Sequence, residues 1–382
     1  MKTNRFVTGL LGVLLLANVA GAQNLIIQWA VTGWPSGQGW LPKVASDGQN
    51  GNVAIIDQTG TGNATFNYFD GQMVISDINY LYWDGPYDIT SSGQPGNEVG
   101  HAPYIAMVDC LIPSCTSYPG YDSDVIQVHQ GGQNGGAELW YRTGVDTGLS
   151  TNWANAQSYD NGFNPAVALD QSGGTATNTT IVEVHQATVD SSLLWYHVGT
   201  LTYSASSVGA KFDGSHSTGF TGYAPTISVA RGVVVLMAQG PSGEMWYSIG
   251  SVNSSAGTIA WGPQTKYDTG YNPFTSVQWC SGGGATFGCD FMVVEVHQET
   301  NSTGSLMYRT GVMYYGSGGT TPTSIKWTPN SDTKYATGCY PSISVMTDSD
   351  GSFHPMVEAH SAACGGPANV FASWGSIQNE VP

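Results

Sequence analysis

The chain has 382 residues, of which 51 are Gly, 12 Trp and 20 Tyr, while Asp, Glu, Lys and Arg together make up only 10%. This composition excludes a disordered chain and a coiled coil, and it is typical of a large all-β protein. The formal net charge of -17 at neutral pH would repel a phosphate backbone, so we expect no nucleic-acid partner.

The chain begins with a targeting segment. Lys2 and Arg5 precede an apolar run over residues 6–20, and small residues follow at 20–22. This order predicts a secretory signal peptide over residues 1–22. The mature chain, residues 23–382, is then a single domain that is secreted to the extracellular space or the periplasm. No later segment approaches the roughly 18 apolar residues of a spanning helix, so we expect no membrane span.

One unit recurs six times along the remaining chain. Each copy begins with Gly-x-x-Pro, and the prolines are Pro42, Pro103, Pro165, Pro225, Pro273 and Pro341. An alternating run follows each proline and predicts a first strand. A second predicted strand ends in Val-His-Gln at residues 128–130, 184–186 and 296–298, with weaker copies elsewhere. A third contains Trp-Tyr at 140–141, 195–196 and 246–247, and a short fourth strand carries a Trp, as at 259–261.

Four short strands with Gly and aromatic residues at fixed offsets predict a β-propeller blade. The sixth unit lacks its fourth strand, and a matching Ile27-Gln28-Trp29 stands near the N-terminus. We therefore predict an all-β fold, a six-bladed β-propeller with four antiparallel strands per blade. In this fold the N-terminal strand completes the last blade and closes the ring, which removes two sheet edges. A linear solenoid is the alternative, and it would need capping repeats.

The six cysteines of an exported chain predict disulfides. Two pairs each lie within one predicted loop, and the third flanks two adjacent antiparallel strands that would bring its members to the same end. The predicted pairs are Cys110–Cys115, Cys280–Cys289 and Cys339–Cys364. No Cys-x-x-Cys or closely spaced His pair is present, so we expect no metal and no other cofactor.

The His-Gln pairs allow two interpretations. Glu183 and His185 are two residues apart and share one face of a strand, and each such His is either buried and hydrogen-bonded to a Tyr or Trp, or part of a sugar pocket. Sugars stack an apolar face on aromatic rings and need planar donors and acceptors for their hydroxyls. The candidate ligand-binding residues are His129, Gln130, Trp140, His185, Gln186, Trp195, Trp246, His297 and Gln298.

The third-strand tryptophans are equally open to a packing role between blades. A further pair, Tyr-Asp, precedes several of the turns, as at Tyr159-Asp160 and Tyr267-Asp268. We interpret it as a turn cap in which the carboxylate accepts a backbone hydrogen bond.

The order Tyr-Asp-x-Gly-x-x-Pro, Val-Glu-Val-His-Gln, Leu-Trp-Tyr-Arg-x-Gly and Ile-x-Trp resembles the repeat of the Photorhabdus lectin-like β-propellers, secreted proteins that bind fucose and related sugars. The resemblance covers nearly all of the mature chain and is most specific in the second, third and fifth units. It implies sugar pockets at blade boundaries, with walls formed by the third-strand tryptophans and floors formed by the His-Gln pairs. The implied function is a lectin with several weak sites for glycans or glycoconjugates.

Two other functions remain open. One is a scaffold or adhesion ring that binds protein partners on a flat face. The other is a propeller glycosidase, which needs two carboxylates near the channel, but the sequence offers no constellation to assign, so no catalytic residue is predicted. A sialidase would need three arginines on one substrate, whereas the mature chain has only Arg142, Arg231 and Arg309 in different units. The identity of the sugar and the oligomeric state are left open.

Overall fold

The computed structural model describes residues 24–48, 51–62, 64–73, 81–88, 100–110, 122–131, 137–146, 151–170, 179–189, 191–203, 207–280, 289–315, 321–328, 332–346 and 354–380. The predicted signal peptide over residues 1–22 lies outside the described residues, and so does Cys115. Every regular element of the described chain is a β-strand, as the composition predicts. Among these residues, no helix has the length and apolar character that would let it cross a bilayer.

The strands follow one another in a regular order. They are β1 (Asn24–Ser46), β2 (Asn52–Gln58), β3 (Phe66–Met73), β4 (Leu81–Asp88), β5 (His101–Asp109), β6 (Ser123–Gln130), β7 (Glu138–Asp146), β8 (Thr151–Trp153), β9 (Gln157–Asn161), β10 (Phe163–Asp170), β11 (Thr180–Thr188), β12 (Ser191–Tyr203), β13 (Val208–Phe212), β14 (His216–Thr221), β15 (Tyr223–Ala230), β16 (Val233–Gln239), β17 (Glu244–Asn253), β18 (Thr258–Trp261), β19 (Thr265–Thr269), β20 (Tyr271–Trp279), β21 (Phe291–Gln298), β22 (Gly304–Met313), β23 (Lys326–Trp327), β24 (Thr333–Val345), β25 (His354–Ser361) and β26 (Ala368–Glu380).

These strands pair antiparallel in three sheets of five strands and one of eleven. In each five-stranded sheet the first four strands pair in chain order. A short fifth strand also pairs with the third strand, along the same edge as the fourth. In the first of these sheets, β7 pairs with β8 through Gly144–Asp146 and with β9 through Glu138–Tyr141. Two short strands therefore share the outer edge of each sheet. The Tyr-Asp pair, which the sequence suggests as a turn cap, lies within the second of them in β9 and β19, whereas β14 contains no such pair.

The eleven-stranded sheet joins the two ends of the chain. The first half of β1 pairs with β26, where Trp29 lies opposite Gly375, and its second half pairs with β2, where Ala45 lies opposite Ala54. The pairing of the N-terminal strand with the C-terminal unit is the one that the sequence predicts. Because β1 bends from one partner to the other, both termini of the described chain are held in the same sheet.

The strand that follows each Gly-x-x-Pro turn is the innermost of its unit. Strands β1, β5, β10, β15, β20 and β24 together line a central cavity of about 520 Å³. At its other end a smaller cavity of about 230 Å³ is lined by four of the turn prolines and by Lys43, Tyr104 and Phe274. Strands of this kind are buried on both faces, and Ile105, Val167 and Ile227 are accordingly buried.

Two disulfides link described residues. Cys280 is bonded to Cys289 across the β20–β21 connection, with Cα atoms 5.9 Å apart. Cys339, in the middle of β24, is bonded to Cys364, which follows the end of β25, with Cα atoms 5.3 Å apart. Both are pairs that the sequence suggested, and the third suggested pair includes Cys115, which is not described.

Candidate functional site

The predicted histidines lie at the ends of the second strands, inside the sheets. His129, His185 and His297 are exposed by only 1%, 2% and 1%. Each ring packs on the glycine of the turn that opens its own unit. A Cβ atom on Gly162 would lie 2.4 Å from Cδ2 of His185, which is too close for any side chain. The glycine of Gly-x-x-Pro is therefore required by the ring that covers it.

A carboxylate two residues upstream holds most of these rings. Nδ1 of His185, His297 and His360 each lies 3.1 Å from Oε2 of Glu183, Glu295 and Glu358, respectively. Residues two apart point to the same face of a strand, so the pairing is local. The sequence interpretation expected Tyr or Trp as the hydrogen-bond partner of His, and the structure supplies this Glu instead.

The surroundings of each histidine also shift the pKa of its ring. Burial lowers the pKa of His360, but Glu358 outweighs burial and raises it above the usual value. In the second unit Gln127 takes the place of Glu, and its Nε2 lies 2.9 Å from Nδ1 of His129. Burial, aided by the positive charge of Arg142, lowers the pKa of His129 to about 3. The two rings occupy the same strand face, yet the carboxylate beside His360 raises the pKa of that ring, whereas burial and Arg142 lower the pKa of His129.

The predicted glutamines connect neighbouring units. The residue before each turn proline has a positive φ, as in Ala224 at 45° and Tyr340 at 55°. Its N–H donates to the Gln of the preceding unit, from Ala224 to Oε1 of Gln186 at 3.1 Å and from Tyr340 to Oε1 of Gln298 at 2.8 Å. A left-handed non-Gly residue is costly, so a fixed partner for its amide helps to hold it. Gln130 is also buried, at the equivalent place on β6.

The predicted tryptophans lie nearer the surface. Trp140, Trp195 and Trp246 are each half-buried on a third strand. The indole edges of Trp140 and Trp246 cover the glycine that follows the Gln, where a Cβ on Gly131 would lie 2.8 Å from Nε1 of Trp140. These rings therefore lie over the turn between the second and third strands, on the side of the His-Gln pairs.

A cleft opens beside Trp246. It has a volume of about 390 Å³, and its lining residues are Thr221, Gly222, Gly240, Pro241, Glu244, Trp246 and Gln264. Thr221 ends β14 of the preceding sheet, so the cleft lies at a boundary between sheets. Nε2 of Gln264 donates to the carbonyl of Thr221 at 2.8 Å and links the two walls. An aromatic ring, a carboxylate and an amide therefore surround one opening.

Among the residues that the structure describes, two groups of side chains could hold a metal ion. The first, which we call the His-Asp cluster, consists of Asp160, His185 and His197, and the second consists of Asp268, His297 and Asp332. In the second group Arg309 forms ion pairs with both aspartates, so we call it the Arg-filled cluster. The sequence reasoning missed both, because their members come from different strands and from neighbouring sheets. The one residue that could have indicated the first cluster is His197, which lies opposite Glu183 in the β11–β12 register.

No family model and no curated protein sequence matches this chain. The structure of NanB plus optactamide superposes with a TM-score of 0.51 and 9% identity, covering 93% of this chain and 70% of that chain. At this identity the likeness shows a shared fold and nothing of activity.

Two further structures superpose less closely. Trypanosoma rangeli sialidase in complex with the inhibitor DANA gives a TM-score of 0.49 at 8% identity, covering 92% of this chain and 59% of that chain. A mutant of Aleuria aurantia lectin in complex with Fucα1-6GlcNAc gives 0.48 at 12% identity, covering 90% and 97% of the two chains. The present chain thus spans 59% of the length of that sialidase chain.

Proposed function

We propose that this protein is a secreted carbohydrate-binding protein, a lectin-like six-bladed β-propeller that holds sugars in clefts between neighbouring sheets. The observation that carries the proposal is the cleft at Trp246, where an indole ring, the carboxylate of Glu244 and the amide of Gln264 face one opening of about 390 Å³. Small-molecule pockets span roughly 300 to 1,000 Å³, so one or two sugar rings suit this volume.

The architecture in this proposal is supported by the strand pairing. Six inner strands line one cavity, and in each unit two further strands and an outer edge strand pair in sequence beyond the inner one. The pairing of β1 with β26 joins the last unit to the first, as closure of a ring requires. The two described disulfides agree with an oxidising compartment, where a signal peptide over residues 1–22 would send the chain.

The chemistry of the cleft suits a sugar. The C–H face of a pyranose packs on an indole, the carboxylate of Glu244 accepts hydrogen bonds from hydroxyls, and the amide of Gln264 can both donate and accept. Trp246 and Glu244 lie two residues apart on β17, so both side chains point the same way. The His-Gln pairs act behind this surface in our proposal, by holding the turns on which the cleft is built.

The units should differ as binding sites. Glu138 precedes Trp140 by two residues, as Glu244 precedes Trp246, whereas Leu193 occupies that position before Trp195. A leucine cannot accept a hydroxyl hydrogen bond. We therefore propose binding sites at Trp140 and Trp246, and a weaker one at Trp195.

The test is binding of the mature chain to a glycan array, repeated with free monosaccharide as competitor. We expect competed binding to a defined terminal sugar, because repeated weak sites gain avidity on clustered glycans. In calorimetry with that sugar, Trp246→Ala should remove one site from the stoichiometry. Glu244→Gln should weaken the same site about tenfold, since a charged acceptor is worth about 1.4 kcal/mol.

The matched control is Glu299→Gln, which alters an exposed carboxylate in the corresponding turn of the next unit. It should leave both affinity and stoichiometry unchanged. No binding by a folded sample would refute the lectin proposal and favour the scaffold. Release of free sugar from the array glycans would identify a glycosidase instead.

A further inference from the structure

We propose that the His-Asp cluster is a zinc site that ties two neighbouring sheets together. Asp160 belongs to β9, the outer edge of one sheet, while His185 and His197 belong to β11 and β12 of the next. An ion bound by all three would therefore bridge a unit boundary. This inference does not depend on the proposed lectin function.

The spacing of the ligand atoms fits a tetrahedral ion. Oδ2 of Asp160 lies 2.7 Å from Nε2 of His197 and 3.7 Å from Nε2 of His185. Three ligands at about 2.0–2.1 Å from a tetrahedral zinc ion are roughly 3.3 Å apart, which lies between these two distances. Small side-chain rotations would equalise them. Both distances are therefore compatible with a shared ion.

The other nitrogen of each ring is already committed as a donor. Nδ1 of His197 lies 2.8 Å from the backbone carbonyl oxygen of Asp213, which can only accept a hydrogen bond. Nδ1 of His185 faces the Glu183 carboxylate at 3.1 Å. In a neutral imidazole this leaves a lone pair on each Nε2, and both Nε2 atoms lie within 4.8 Å of one another and of Asp160. A carboxylate or carbonyl on the far nitrogen is the usual companion of a zinc-bound His.

Further contacts hold the two carboxylates in place. Oδ1 of Asp160 accepts the N–H of Asn161 at 2.8 Å, which leaves Oδ2 directed at the rings. Glu183, behind His185, also accepts the hydroxyl of Tyr159 at 3.0 Å. Each ligand therefore has a second contact that fixes its orientation, as metal sites require.

Exposure indicates how an ion would reach the cluster. The Asp160 side chain is 25% exposed, whereas those of His185 and His197 are 2% and 4% exposed. An ion would enter past Asp160 and keep a water as its fourth ligand on that side. Two imidazoles and one carboxylate are a ligand set that suits Zn²⁺. Ca²⁺ and Mg²⁺ prefer oxygen ligands, so this set does not suit them.

In the Arg-filled cluster an arginine side chain supplies the positive charge that an ion would supply in the His-Asp cluster. In β22, Arg309 lies opposite Glu295, as His197 lies opposite Glu183 in β12. Its guanidinium supplies a fixed positive charge to Asp268 and Asp332, so no ion is needed there. His197 carries no fixed charge, and in its neutral form with Nδ1 protonated it would present a nitrogen lone pair to Asp160. A plain ion pair between protonated His197 and Asp160 is the competing explanation.

The test uses the untagged full chain, stripped with a chelator and titrated with ZnCl₂ in a calorimeter. We expect one zinc per chain, and Co²⁺ in its place should give the visible absorption of a tetrahedral ion. Asp160→Asn and His197→Arg should each weaken binding by more than about 100-fold, since even second-contact changes cost 10–100-fold. His197→Arg copies the arginine of the fifth unit and should still fold.

Asp332→Asn is the control, because it changes an exposed acid of the Arg-filled cluster and should leave zinc affinity unchanged. If the chain binds no zinc at micromolar concentration, the competing ion pair is the correct description. Zinc binding that survives both Asp160→Asn and His197→Arg would belong to the acidic surface and would equally overturn the proposal. If His197→Arg does not fold, Asp160→Asn alone decides, since it keeps the side-chain size.

Discussion

The boundary before the third unit and the boundary before the fifth are built from the same parts. Each has a buried Glu-x-His on the second strand and a Tyr-Asp on the edge strand of the preceding sheet, as in Tyr159-Asp160 and Tyr267-Asp268. They differ at the third-strand position that faces the Asp, which is His197 in one and Arg309 in the other. One residue therefore decides whether the positive charge at a boundary is the fixed charge of an arginine or the charge of a bound ion or proton at a histidine.

The shared frame itself should show the largest effect. Glu183 is fully buried and is bonded to both Tyr159 and His185. Glu183→Ala leaves both partners unsatisfied in the interior, which should lower the free energy of unfolding by about 3 kcal/mol or more. Glu295→Ala should cost a similar amount if the two boundaries are equivalent. Urea unfolding would measure both, with Glu299→Ala as the exposed control.

A large difference between the losses of unfolding free energy in Glu183→Ala and Glu295→Ala would show that the two boundaries are not equivalent. It would mean that the fixed charge of Arg309, and not the Glu-x-His pair, carries the boundary of the fifth unit. Losses below about 1 kcal/mol in both variants would show that burial of these side chains is not maintained in solution.

The second prediction converts one boundary into the other. Arg309→His should place an imidazole between Asp268 and His297 and raise the zinc stoichiometry from one to two per chain. Zinc at a hundredfold excess over its dissociation constant should then stabilise this variant by about 2.7 kcal/mol more than it stabilises the unchanged chain. Calorimetry and thermal unfolding with and without chelator would test this. An unchanged stoichiometry would mean that the frame of the fifth unit cannot position zinc ligands.

The third prediction concerns the link that both units share. Gln186 accepts the N–H of Ala224 and the side-chain amide of Asn164, and Gln298 accepts the equivalent groups of Tyr340 and Asn272. Gln186→Ala and Gln298→Ala should therefore cost nearly equal amounts, about 2 kcal/mol each. Unequal losses in urea unfolding would indicate that the turns are held by their own contacts in one of the units.

Much of this frame could be predicted from the sequence. The repeat, the order of the first three strands in each unit and the pairing of Ile27-Gln28-Trp29 with the C-terminal unit all follow from local alternation and recurrence. A period of two is a property of a single strand, so it can be read without knowing what lies beside the strand.

The contacts between units could not be predicted in this way. The Tyr-Asp segment was interpreted as a turn cap, and Asp160 does accept a backbone N–H, but the segment also forms an edge strand. The partner of Gln186 is in the next unit, 38 residues away, and Asp160 meets His197 across a sheet boundary. Such contacts depend on how sheets pack against each other, and a local pattern does not determine that packing.

The last prediction compares two buried histidines at equivalent positions, which differ in the residue two positions upstream and in the nearby Arg142. His360 faces Glu358, and its pKa is raised despite burial, so its contribution to stability is present below the unfolded value of about 6.5 and is lost as the pH rises through the folded value. His129 faces Gln127 and Arg142, and its pKa is lowered to about 3, so its contribution is present above about 6.5 and is lost as the pH falls.

His360→Gln and His129→Gln should therefore change the pH dependence of unfolding with opposite signs. Relative to the unchanged chain, His360→Gln should be more destabilising in acid, and His129→Gln should be more destabilising near neutrality. Urea unfolding between pH 4 and about 8 would measure the two curves. Parallel curves would show that both rings titrate alike, and that Glu358 and Gln127 do not set the charge of the histidine beside them.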